Sequence, residues 1–97
     1  MRILHLTLKK KWFDMIASGE KKEEYREIKK YWIDRFEGNE YDVIKFRHGY
    51  AKNAPTMIVE LKNIFIGRGQ SEWGAPDERV YILELGDILL IENYEAD

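Results

Sequence analysis

Gly19-Glu20-Lys21-Lys22-Glu23-Glu24-Tyr25-Arg26 lies where an amphipathic helix gives way to a strand. Upstream, Trp12, Met15 and Ile16, with Phe13 and Ala17 alongside, keep helical spacing over about Lys9 to Ser18. Gly19 then stands where a helix needs a left-handed terminating residue. Downstream, Lys22 to Arg26 reads as a strand, on which side chains two apart share a face, so Glu24 and Arg26 project together. Lys21 sits at odd spacing and joins them only if the turn or a bulge re-aims it. A carboxylate held between a lysine and an arginine stays ionised, suited to accept hydrogen bonds rather than to act as an acid. Arg26 offers a planar fork for phosphate or carboxylate, and Lys21 a mobile point charge. The trio either binds a polar ligand or neutralises itself on a salt-bridged edge strand.

Before that helix, Ile3 to Leu8 alternates as a first strand, with Ile3, His5 and Thr7 on one face and Leu4, Leu6 and Leu8 on the other. A second helix is expected over about Ile28 to Glu37, burying Ile28, Tyr31, Trp32 and Phe36 and ended by Gly38-Asn39. Asp42 to Arg47 and Met57 to Ile66 are strand-like, and Gly67 to Asp77 is a loop holding Gly67, Gly69, Gly74 and Pro76. Val80 to Leu85 and Ile88 to Glu92 read as two closing strands around Gly86-Asp87. The order lacks the regular alternation of a parallel sheet. It predicts an α+β fold: a small, mostly antiparallel β-barrel of about six strands with two helices in the N-terminal half. A closed sheet would also manage its own edges. No repeat, low-complexity segment or long linker divides the chain, so residues 1–97 read as one domain.

A hydrophobic fraction of 44% with 13% aromatics argues for a folded globule. No apolar run approaches the roughly 20 residues that span a bilayer, and Met1-Arg2-Ile3-Leu4-His5-Leu6 does not resemble a secretion signal. The expectation is a cytoplasmic protein with no membrane partner. With no cysteine there is no disulfide framework, thiolate zinc site or thiol nucleophile. The two histidines lack a nearby carboxylate pattern, so neither a metal site nor a cofactor is expected. A net charge of −2 conceals two unlike halves. Residues 1–52 carry 13 Lys and Arg against 9 Asp and Glu, whereas residues 53–97 carry 3 against 9. Either the basic half presents a phosphate-attracting face, or the two halves meet and cancel.

Lys9-Lys10-Lys11 stand in the first turn of the first helix, where positive charge opposes the helix dipole by roughly 0.3–1 kcal/mol each. The same placement suits an anion, because free N–H groups and ammonium groups point one way. With Lys21, Lys22, Lys29 and Lys30 they form a candidate basic rim. Trp73, in the glycine-rich loop, and Tyr50 are candidates to stack on a base; Trp73 plugging one end of the barrel is the competing reading. His48, on an expected loop, is a further candidate to contact a base. Trp12 and Trp32 read as core, and His5 as a hydrogen-bonded core histidine. None of the hydroxyls of Ser18, Ser71, Thr7 and Thr56 shows an activating pattern.

Leu4-His5-Leu6-Thr7-Leu8, the aromatic-rich helix and the segment to Arg26 together resemble the N-terminal signature of the ASCH domain, the activating-signal-cointegrator homology family. Its mark is Gly-x-Lys-x-x-Glu-x-Arg, and Gly19, Lys21, Glu24 and Arg26 fill all four positions. Glu72-Trp73-Gly74-Ala75-Pro76 and Val80 to Gly86 also resemble small bacterial and prophage members. The resemblance implies a PUA-like β-barrel with a cleft between barrel and helices, lined by the motif residues and open to RNA or a nucleotide. Small family members also act as amidohydrolases on acylated cytidine nucleosides, and ribonuclease activity occurs in the wider family. In the amidohydrolase reading Lys21 matches the motif lysine and Glu72 or Glu84 the distal glutamate. Glu24 stands where those enzymes carry a threonine nucleophile, and a carboxylate does not supply that hydroxyl. The resemblance therefore implies an RNA- or nucleotide-binding domain, with Lys21, Glu24, Arg26, Lys9, Lys10, Lys11, Trp73 and Tyr50 as contacts. Hydrolysis using Lys21, Glu24 and Glu72 is the alternative.

Overall fold

The computed structural model describes residues 1–96. Five strands and two helices follow in the order β1 (Ile3–Thr7), α1 (Lys10–Ala17), β2 (Glu23–Arg26), α2 (Lys30–Phe36), β3 (Val43–Arg47), β4 (Thr56–Arg68) and β5 (Arg79–Glu92). A single 3₁₀ turn, Ser71–Trp73, lies between β4 and β5. All five strands form one mixed sheet in the order β1-β3-β4-β5-β2. β1 runs parallel to β3, and the other three pairings are antiparallel. The two long strands bend as they cross the molecule, and the sheet curls into a half-barrel.

The expected sixth strand does not exist separately. Val80–Leu85 and Ile88–Glu92 are the two arms of β5, which passes through Gly86-Asp87 without turning back. β4 bends with it through register shifts between Ile58 and Asn63, so both arms keep β4 as neighbour. The Glu60 carboxylate accepts the Asp87 N–H at 3.0 Å, satisfying a backbone donor that the irregularity removes from the ladder. Gly86 packs closely there: a Cβ would stand 3.0 Å from the Glu60 Cβ, and Glu60 would have to give way. A Gly-Asp pair that reads as a hairpin turn is therefore the inner bend of one strand.

Leu4 and Leu6 point inward from β1 and, with Leu8 just beyond it, join Phe13 and Ile16 of α1, Phe36 of α2, and Ile44, Phe46, Met57, Val59, Tyr81, Leu83 and Leu85 of the sheet in the main core. The period-two alternation of β1 holds, and it puts His5 on the exposed outer face rather than in the core. α2 is shorter than expected and presents one stripe to the sheet. Phe36 is buried and Trp32 half-buried one turn before it, but Ile28 and Tyr31 are exposed. Two helical turns leave room for only one inward i, i+4 pair.

A smaller cluster on the other face of the sheet joins Tyr25, Val80 and Ile82, with Trp73 and Ala75 packed against it. It holds the loop after β4 over β2. Gly69 is needed there because the Tyr25 ring and the Ala75 methyl occupy the space of any Cβ.

Candidate functional site

The end of α1 sets the site. Gly19 takes φ +86°, and the chain folds back so that the Lys21 N–H reaches the Met15 carbonyl at 3.0 Å. This turn aims Lys21 inward. In β2, Glu24 lies opposite Leu83 and Arg26 opposite Tyr81, so both project from the core-facing side of the sheet. The three charges thus converge from a turn and a strand, as the spacing of Glu24 and Arg26 predicts.

Their contacts are reciprocal. Lys21 Nζ lies 3.3 Å from Glu24 Oε1, and Arg26 Nη2 lies 2.7 Å from Glu24 Oε2. The Lys21 side chain is 1% exposed and that of Glu24 8%, whereas Arg26 keeps 19%. Lys21 Nζ also donates to the Trp73 carbonyl and sits 4.7 Å and 5.1 Å from the ring centres of Tyr25 and Trp12. Burial pulls the Lys21 ammonium below the ordinary lysine value, and the Glu24 carboxylate offsets part of that pull. Lys21 is an internal pin that fastens the Trp73 turn to β2.

Arg26 faces outward from the same carboxylate. Its guanidinium lies 5.1 Å from the Trp32 ring centre, and Nη2 also donates to the Thr7 carbonyl at 3.3 Å. Arg26 therefore ties β2 to the end of β1, the two edge strands of the sheet. Its Nε is buried without a hydrogen-bond partner among the described residues. Such a donor is one that a bound acceptor or an ordered water relieves.

Glu24 and Arg26 line an open cleft of about 540 Å³. Thr7, Leu8, Lys9 and Trp12 line it from the end of β1 and α1, Glu24, Tyr25, Arg26 and Glu27 from β2 and its end, and Lys29, Trp32, Trp73 and Gly74 complete the lining. The structure thus brings together Lys9, Glu24, Arg26 and Trp73 from the expected set, with Lys21 directly behind them. Others lie elsewhere. Lys10 pairs with Asp14 at 2.8 Å, which holds the Asp14 carboxyl below its usual range. Lys11 lies over the Trp12 ring at 4.7 Å. Glu72 is exposed and off the cleft wall. Tyr50, 86% exposed, stands on a β3–β4 loop that Arg47 fastens through the Gly49 and Ala51 carbonyls. His48 Nδ1 donates to the Leu8 carbonyl at 3.1 Å and braces that loop against β1.

Two cleft residues run against the sequence reading. Trp12 and Trp32 pack on the core with one edge and line the cleft with the other, because both are only half-buried. Helical periodicity marks the inward stripe but does not show where that stripe passes the rim of a sheet. Gly74, at φ +97°, packs flat on Trp12, where a Cβ would come within 2.8 Å of the indole. Tyr25 adds a neutral phenol: its hydroxyl donates to Glu23 Oε1 at 2.7 Å and accepts the Gln70 N–H at 3.0 Å. Burial, reinforced by Glu23, pushes its pKa upward.

Among the described residues no three His, Asp or Glu side chains gather as a cation site, and no helix is long and apolar enough to cross a membrane. No family model, curated protein or solved structure matches the chain.

Proposed function

We propose that the chain is a PUA-like domain of the ASCH type whose cleft binds RNA or a nucleotide. One observation carries the reading: all three tryptophans of the chain line a single cleft that also holds Lys9, Arg26 and Lys29. Indole faces stack bases irrespective of sequence, at about 1–3 kcal/mol per base, and the cations attract the attached phosphates. A cleft of about 540 Å³ falls in the range of small-ligand sites, roughly 300–1,000 Å³. Glu24 fixes Arg26 and offers lone pairs to a base amino group. The half-barrel with both helices in the N-terminal half supports the PUA-like assignment.

Hydrolysis of acylated nucleosides and RNA cleavage receive less support. Lys21 is sealed behind Glu24 and the Trp73 carbonyl, away from the cleft wall, and a proton acceptor must reach its substrate.

Intrinsic fluorescence reads the site directly, because every indole borders it. Titrating a mixed-sequence single-stranded RNA is expected to change the emission saturably. Trp32→Ala is expected to weaken binding by roughly 5- to 150-fold, the loss of one stacked base at about 1–3 kcal/mol. An unchanged spectrum at high RNA concentration, or equal affinity in the variant, refutes the reading.

A further inference from the structure

β3 covers β4 only over Thr56–Glu60, and the last cross-link is the Leu61 N–H to the Asp42 carbonyl at 3.0 Å. Beyond it, Asn63–Arg68 pairs with β5 alone. Lys62 to Arg68 therefore leaves a free edge, with no main-chain partner on that side among the described residues. Ile64 is half-buried, while Phe65 and Ile66 are each 40% exposed. Unprotected edges with apolar side chains are templates for another strand.

This edge is recessed. It forms one wall of a second cleft, of about 580 Å³, whose opposite wall is the segment between α2 and β3, including Glu37, Glu40 and Asp42. Asp42 accepts the Arg2 N–H at 2.7 Å and Glu37 the Tyr81 hydroxyl at 2.8 Å. Glu40 makes no ion pair among the described residues, and Lys62 is the one basic side chain among the lining residues.

We infer that this groove docks an extended, basic and apolar peptide segment of another protein, added as a strand beside β4 in the place that β3 vacates. Main-chain hydrogen bonds to Lys62–Arg68 supply the register, Ile64 and Ile66 the apolar contact, and Glu37, Glu40 and Asp42 the preference for Lys or Arg. The acidic wall selects the charge of the occupant. Geometry disfavours a second copy of this chain: each edge is overhung by its own α2–β3 segment, and antiparallel pairing centred on Phe65 sets Lys62 against Arg68. A slim free strand meets neither obstacle. The inference is independent of the tryptophan cleft.

The test uses two capped octapeptides, one alternating valine with lysine and threonine, the other alternating valine with glutamate and threonine, with backbone amide NMR as readout. The basic peptide is expected to shift and protect amides within Lys62–Arg68, and to bind at least tenfold more tightly than the acidic one. Glu40→Lys, a change at an exposed position, is expected to remove most of that preference. N-methylating alternate amides of the basic peptide gives two patterns, one per edge: one keeps binding and the other loses at least tenfold. Equal binding by both patterns, an unchanged Lys62–Arg68 envelope at millimolar peptide, or protection of these amides by self-association without peptide would each overturn the inference.

Discussion

Glu24 is the residue on which the site turns, because each of its oxygens faces a different cation. Removing it leaves the Lys21 charge buried without a carboxylate. Glu24→Ala is therefore expected to cost about 3–5 kcal/mol in urea unfolding. Lys21→Met leaves Glu24 paired with Arg26 and should cost clearly less; equal losses would contradict the role of Glu24 as the carboxylate shared by both cations. The pH dependence has a definite sign. Tyr25 has its pKa raised above the ordinary value of 10.0. The folded state thus holds its proton longer than the unfolded state, and the stability this confers is present below that value and lost as pH climbs past it. Lys21 is lowered from 10.5 and acts oppositely, adding stability as pH rises towards that value. Comparing urea midpoints of the wild type and Tyr25→Phe from mildly basic pH upward isolates the tyrosine. The curves should converge as pH passes that value, and parallel curves would refute the assignment. The pairing of Glu24 with Arg26 is legible in the sequence, since two-residue spacing on a strand fixes it. The burial of Lys21 is not: it follows from the carbonyl of Trp73, 52 residues away.

Among the elements, α1 and the turn after it are the most legible, through apolar spacing and a glycine at the stop. Gly19 and the Met15–Lys21 hydrogen bond realise that reading. β5 is the least legible. Gly86-Asp87 carries the residues of a hairpin turn, and what makes it a bend is Glu60 on the neighbouring strand. The loop carrying Trp73 depends on a second glycine. Gly74 combines φ +97° with a Cβ position that the Trp12 ring fills. Gly74→Ala is expected to destabilise by more than ~1 kcal/mol, since alanine disfavours the left-handed region and the indole must also move. Trp12 emission should shift in the folded variant. A variant with wild-type stability and spectrum would show that the turn does not rest on Trp12.

Across the whole molecule, a chain with net charge −2 presents Lys9, Arg26 and Lys29 at one cleft, the last two beside Glu24 and Glu27, and an acidic wall at another. The proposed attraction of RNA is then expected to be local and sensitive to salt. The logarithm of affinity should fall linearly with the logarithm of salt concentration, and Lys29→Ala should reduce the slope by about 0.7 if Lys29 meets one phosphate. An unchanged slope would remove Lys29 from the phosphate contacts. The two clefts share a file of rings. Trp32 stacks on Phe36 at 5.3 Å, and Phe36 meets the edge of Tyr81 at 5.0 Å. The α+β class, the two helices, the inward face of β1 and the Glu24–Arg26 pair are legible along the chain, because each follows from local spacing. The curling of the sheet sets the rest: among the described residues the six expected strands are five, all three tryptophans share one cleft, Lys21 is sealed, and half of β4 keeps a free edge. Each of those depends on which distant segments meet as the sheet curls, and local periodicity carries no record of that.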